Sequence, residues 1–165
     1  MSNLTTIRLA GYDKSSVVNG TGVRYTIFTQ GCPHHCKGCH NEHTWLYNGG
    51  FEEKLDKIFA EIESFVVCSS GITISGGEPF TQEIPCYLIA KHAKELGMTV
   101  WTYTGYRFED LWKRPHPLVL MTDVLVDGPI VKKQRCNNVP YIGSANQRII
   151  NLSKARETGI LQLGE

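Results

Sequence analysis

The chain is short of net charge, of long apolar runs and of a fourth cysteine beside the three that cluster. Its 17 Lys and Arg against 16 Asp and Glu leave a net charge of +1, which gives no electrostatic basis for binding nucleic acid or an anionic membrane. No apolar run approaches the length of a membrane span. Residues Met1 to Thr5 lack the charged and apolar regions of a signal peptide. Internal repeats, linkers and low-complexity stretches are also missing. What remains reads as a single domain over residues 1–165, long enough for a real core, with 41% hydrophobic and 20% charged residues. The patterned core runs from about 18 to 151, and Ser153 to Glu165 is weakly patterned and reads as a mobile tail.

Six cysteines in a small secreted protein would mean three disulfides. This chain is too long and too rich in helix and strand patterns to need them. Three of the six, Cys32, Cys36 and Cys39, fall within eight residues, which argues for metal binding. The compartment therefore reads as reducing, hence cytoplasmic. A tetrahedral metal site and an ordinary four-iron cluster each want four ligands. Three local thiols imply either a distant fourth ligand or a cluster with one iron left open. Thiolates suit iron–sulfur clusters, zinc or copper(I). A structural zinc site completed by His34, His35, His40 or His43 is the plainer reading, and spacing alone leaves both open.

Strand and helix patterns alternate. Val23 to Thr29 is β-branched and aromatic, a good strand. After the turn at Asn48-Gly49-Gly50, Phe51, Leu55, Ile58, Phe59, Ile62, Phe65 and Val66 recur at helical spacing, with Glu53 and Lys57 as an exposed pair. Gly71 to Ser75 is a short buried strand. Pro85 suits the first turn of a helix that stops at Gly97. Met98 to Tyr103 and Val124 to Val126 are further strands, with a short helix over Arg107 to Trp112 ended by Pro115 and Pro117. Gln147 to Asn151 is a weaker fifth strand. This alternation predicts an α/β fold with a mostly parallel sheet and right-handed crossovers. The length predicts an open, partial (β/α) barrel smaller than a full eight-unit one.

The unusual residues gather at one end of that sheet. The cysteine loop follows the first strand, Gly76-Gly77-Glu78 the second, Thr104-Gly105-Tyr106 the third and Asp127-Gly128 the fourth. In parallel α/β folds the carboxyl ends of the strands form the active-site face. Two glycines at a strand end let a ligand approach the backbone, and Glu78 can accept from an ammonium group. A plain strand-to-helix turn is the competing reading of Gly-Gly, and a tight turn that of Asp127-Gly128-Pro129.

A cysteine triplet at these spacings after the first strand, with Gly-Gly-Glu after the second, resembles the radical S-adenosylmethionine superfamily. Val18-Asn19-Gly20-Thr21-Gly22-Val23-Arg24, His40-Asn41-Glu42-His43-Thr44-Trp45, Trp101 to Tyr106, Val124 to Pro129 and Gly143 to Arg148 narrow the match. In this order they are similar to the family of anaerobic ribonucleoside-triphosphate reductase activating proteins, from about Val18 to Ile150. The resemblance implies a [4Fe-4S] cluster on Cys32, Cys36 and Cys39. The amino and carboxylate groups of S-adenosyl-L-methionine would chelate the open iron, and Gly76, Gly77 and Glu78 would hold the amino group. Thr104 and Asp127 would suit the ribose or methionine end. The implied reaction is reductive cleavage of the cofactor to a 5′-deoxyadenosyl radical, which takes a hydrogen atom from a backbone glycine in the glycyl-radical domain of the anaerobic reductase. No side chain is then required as a general acid or base. The family also implies a one-electron donor such as flavodoxin.

Two departures stand out. Many superfamily members carry an aromatic residue before the third cysteine. Here it is Gly38, so adenine contact would fall to the backbone of Gly38, Cys39 and His40 and to the His40 ring. Thr21 stands where proline is expected, which affects a turn. His92 and His116 read as ordinary residues. Cys68, Cys86 and Cys136 read as free packed thiols, although the basic run before Cys136 would favour its thiolate. The rival readings are an activase of another glycyl-radical enzyme, a small-molecule radical enzyme of the same superfamily, and a structural zinc-binding module.

Overall fold

The structure is a computed structural model that describes residues 5–160 and the backbone of residues 162 and 163. The signal-peptide reading rests on Met1 to Thr5 and falls almost wholly outside the described residues. So do 161, 164 and 165 of the tail.

In chain order the strands and helices are β1 (Thr6–Ser16), β2 (Arg24–Thr29), β3 (Phe51–Lys54), α1 (Leu55–Phe65), β4 (Gly71–Gly76), α2 (Glu83–Glu95), β5 (Thr99–Tyr103), α3 (Phe108–Leu111), α4 (Pro117–Met121), β6 (Val124–Asp127), β7 (Arg148–Asn151), α5 (Leu152–Thr158) and β8 (Gln162–Leu163). The strands form one open sheet in the order β3-β1-β2-β4-β5-β6-β7-β8. Its centre, β2-β4-β5-β6, is parallel. Both flanks are antiparallel. The expectation of a mostly parallel sheet is therefore corrected to a mixed α/β sheet with a parallel centre. The reason is connection length at one flank: only residues 17–23 join β1 to β2, too few for a crossover between parallel strands. At the other flank, residues 128–147 carry no crossover helix, and β7 returns antiparallel beside β6.

Three local expectations change as well. β1 has no counterpart in the sequence reading, because only Ile7 and Leu9 alternate cleanly before the register shift at Gly11. Phe51 to Lys54, read as the start of a helix, is a strand paired with Thr6 to Leu9; this non-local pairing outweighs the helical preference of Glu52, Glu53 and Lys54. Pro117 begins a helix and does not end one, as suits proline in a first turn. The tail from Ser153 is also more regular than expected. Asn151 caps α5 by accepting from Lys154 N at 2.9 Å, and Gly159 ends it in a left-handed conformation.

The two faces of the central strands differ in chemistry. Tyr25, Ile27, Ile72, Ile74 and Val100 point to one face and pack with Leu55, Ile58 and Ile62 of α1 and with Cys86, Ile89, Ala90 and Ala93 of α2. The strand period of two places Arg24, Thr26, Thr73 and Trp101 on the other face. There Arg24 is fully buried. Its guanidinium donates to Thr73 Oγ1 (2.8 Å), Ile72 O (2.6 Å) and Thr99 O (2.9 Å), and stacks 5.7 Å from the Trp101 ring. Burial brings its pKa down to about 10. This polar face ends at the carboxyl ends of β4 and β5. No helix among the described residues is long and apolar enough to cross a membrane.

Candidate functional site

The parallel centre sends four loops to one edge of the sheet, as the sequence predicts. Backbone hydrogen bonds hold them together. Gly31 N donates to Thr44 O at 2.7 Å and Cys32 N to Trp45 O at 3.2 Å, which closes the cysteine loop on itself. The buried Gln30 side chain pins the same loop through His43 O and Leu46 O. Gly77 N donates to Thr29 O and Glu78 N to Gly31 O, both at 2.8 Å, so the Gly-Gly-Glu loop lies directly on the root of the cysteine loop. A Cβ on Gly77 would stand 2.4 Å from Gly31 O, so this approach requires glycine.

An open cavity of about 300 Å³ lies between the loops, and Cys32, Cys36, Cys39, His40, Gly76, Gly77 and Thr104 all contribute to its wall. The three thiols are free. Burial pushes the Cys32 and Cys36 thiols up, against the opposing pull of backbone N–H groups: His34 and His35 at Cys32, Ile130 at Cys36. Cys39 Sγ accepts from Asn41 N at 3.3 Å. Among the described residues, no three His, Cys, Asp or Glu side chains converge as ligands of a single metal ion. A four-iron cluster takes its thiolates on separate irons, so the three thiols around one cavity suit that group. Two cavity residues, Trp45 and Tyr103, also carry a buried polar atom (Nε1 and the hydroxyl) with no partner among the described residues, as a polar occupant would use.

Of the four histidines weighed for a zinc site, His34 and His35 are engaged elsewhere, while His40 is exposed at the cavity wall. His34 Nε2 is 2.8 Å from Glu78 Oε2, and the His35 ring stacks on Trp45 with centroids 4.8 Å apart. His92 stacks on Phe59, and His116 bonds Glu83 at 2.9 Å, both ordinary structural roles. Cys86 is fully buried in α2, and burial pushes its thiol far up.

Glu78 differs from expectation. It is fully buried and is not part of the cavity wall. Its carboxylate accepts from Phe80 N (3.1 Å), Thr104 Oγ1 (2.9 and 3.0 Å) and Gly105 N (2.9 Å), besides the His34 contact. It therefore ties three loops together, and the wall itself is Gly76 and Gly77 backbone. Thr104 faces the cavity with its hydroxyl already donated to Glu78.

Asp127 sits apart from the cavity wall. Its strand-end position pointed to the cofactor, yet it is fully buried away from the cavity wall, which Gly128 and Pro129 form instead. Asp127 accepts from Phe108 N at 2.7 Å and pairs with the Arg148 guanidinium. It braces the start of α3 against β7. Gly38 has φ +81°, a left-handed conformation that an aromatic residue would strain. Its carbonyl accepts from Arg135, and it lies behind the cavity wall while its neighbour Cys39 faces in. Sequence reasoning missed His34 as a tether, and also Ile130 and Gln147 in the wall. Only the first left a signal, its place between two ligand-type cysteines.

Residues 18–150 match a family described as a 4Fe-4S single cluster domain. The anaerobic ribonucleoside-triphosphate reductase-activating protein of Salmonella typhi is 36% identical over 153 residues, covering 88% of this chain and 99% of that protein. The protein of the same name from Escherichia coli strain K12 is 34% identical, covering 86% of this chain and 96% of its own length. That of Enterobacteria phage T4 is 32% identical, covering 80% and 86%. By likeness over most of its length, the chain belongs to the family of anaerobic ribonucleoside-triphosphate reductase-activating proteins, with their 4Fe-4S single cluster domain.

Proposed function

We propose that the protein activates an anaerobic ribonucleoside-triphosphate reductase as a radical S-adenosylmethionine enzyme that leaves a glycyl radical on it. The single observation that carries this reading is the shared cavity: three thiols on one side, and the Gly76-Gly77 backbone on the other. Cys32, Cys36 and Cys39 would hold a [4Fe-4S] cluster with one iron open to the amino and carboxylate groups of S-adenosylmethionine. When bound, the cluster would supply the single electron for reductive cleavage of S-adenosylmethionine, and with it the radical chemistry directed at a backbone glycine of the reductase.

The chain's own residues bind, orient and exclude. Gly76 and Gly77 offer backbone groups to the methionine amino group. Glu78 fixes that loop through Thr104, Gly105 and His34, and is not a direct ligand. His40, exposed at the cavity wall, would meet the adenine. Gly38, at φ +81°, gives the cluster loop its left-handed turn just before Cys39. The polar face bearing Arg24, Thr73 and Trp101 reads as the inner surface of an open partial barrel. A cytoplasmic location and a flavodoxin-like donor belong to the same reading.

The test mixes the anaerobically reconstituted, reduced protein with S-adenosylmethionine and the reductase. A glycyl-radical signal by electron paramagnetic resonance is expected, with 5′-deoxyadenosine formed. Deoxyadenosine without that signal would redirect the reading to another substrate. Zinc in place of iron–sulfur absorption would end it.

A further inference from the structure

The chain is nearly neutral, yet four cations crowd the outside of its cysteine loop. Lys37 sits between Cys36 and Cys39. The segment after β6 brings Lys132 and Arg135 onto the same loop, with exposed Lys133 between them in sequence. The Arg135 guanidinium donates to Gly38 O. A Cβ on Gly38 would lie 3.3 Å from Lys132 Cγ, so the lysine stem packs on that glycine. All four side chains are exposed. Among the described residues, none of the four is in an ion pair, although eleven pairs form elsewhere. With a total of +1, the rest of the chain carries 1 − 4 = −3. The rest of the chain thus carries no excess of positive charge.

Position decides what the patch serves. None of the four cations belongs to the cavity wall, while Cys36 and Cys39 do. The patch thus adjoins the cysteine loop without lining the cavity. A protein substrate must bring a glycine into the cavity. An electron carrier need only come close to the thiol loop, because electrons do not require entry. We propose that Lys37, Lys132, Lys133 and Arg135 form the docking surface for an acidic one-electron carrier protein, separate from the face that meets the reductase. This rests on the cluster assignment above. The carrier's reduced form gives up one electron, and the oxidised cluster gains it. Unpaired surface cations of this kind act on encounter rate, and their effect fades with salt.

The experiment uses the full-length, cluster-loaded protein and its Lys132→Glu/Lys133→Glu variant. Cluster reduction is followed by stopped-flow absorbance, with reduced flavodoxin as the acidic carrier and with dithionite as a small reductant. Glycyl-radical yield is then measured on dithionite-reduced protein. The variant should react with flavodoxin about tenfold more slowly at low salt and lose the salt dependence of the wild type, with dithionite reduction and radical yield kept. An unchanged flavodoxin rate overturns the proposal. A radical yield that falls even after dithionite reduction also overturns it, by assigning the patch to the reductase. Should the double variant lose its iron–sulfur absorption, Lys133→Glu alone decides on the same criteria, since among the described residues the Lys133 side chain makes no ion pair. Wild-type protein that forms no cluster would refute the cluster assignment and not the surface.

Discussion

His34 Nε2 stands 2.8 Å from Glu78 Oε2, joining the cysteine loop to the Gly-Gly-Glu loop through a carboxylate with no exposure to solvent. The His34 ring also meets Tyr106 edge-on, with centroids 4.5 Å apart, and fills the space a Cβ on Gly105 would need. One side chain therefore sets the spacing between the proposed cluster and the proposed methionine site.

Removing it tests that role. His34→Ala should keep cluster content, since the three thiols remain, but weaken S-adenosylmethionine binding about tenfold, the scale of one lost charged hydrogen bond. His34→Gln should restore much of the affinity. Equilibrium binding under anaerobic conditions reads both. Wild-type affinity in the alanine variant would leave the contact a packing detail.

The cysteines make the second prediction. Cys32→Ala, Cys36→Ala and Cys39→Ala should each abolish the iron–sulfur absorption and the activity. Cys86→Ala should keep both, at a stability cost of about 1 kcal/mol for a core truncation. Iron content per chain and a denaturant melt measure the contrast. A normal cluster in Cys39→Ala would contradict the ligand set.

Gly38→Tyr would install the aromatic residue common in the wider superfamily. At φ +81° it should instead destabilise the loop by about 1–2 kcal/mol and displace the Lys132 stem. Lower cluster retention on gel filtration is the expected result. Full retention with tighter cofactor binding would show that the loop can rearrange.

Arg148 pairs with buried Asp127 and with Glu109 at 2.7 Å. Arg148→Met should cost about 3–5 kcal/mol, because Asp127 would remain buried without its cation. A urea unfolding curve measures this. The side-chain hydrogen bond from Arg148 also holds the exposed Glu109 carboxyl down to about 2 from 4.5. A depressed acid stabilises the fold above its unfolded pKa and loses that contribution as pH falls through the folded one. Wild type should thus exceed Glu109→Gln slightly at pH 7, and the gap should close between about pH 4.5 and 2.

The chemistry on offer, and its order along the chain, was legible in the residues alone. Three thiols at fixed spacing, glycines at a strand end and β-branched runs before each polar loop are local features, and parallel strands carry such loops to one edge. What the sequence left undecided was non-local. The pairing of Phe51 to Lys54 with β1 rests on partners more than forty residues away, so their own helical preference misleads. Glu78 and Asp127 looked alike, acids at strand ends facing a cofactor. Only the packing of other elements turned both inward, one onto Thr104, Gly105 and His34, the other onto Phe108 and Arg148. Burial of a charge demands such partners, and only the tertiary structure names them.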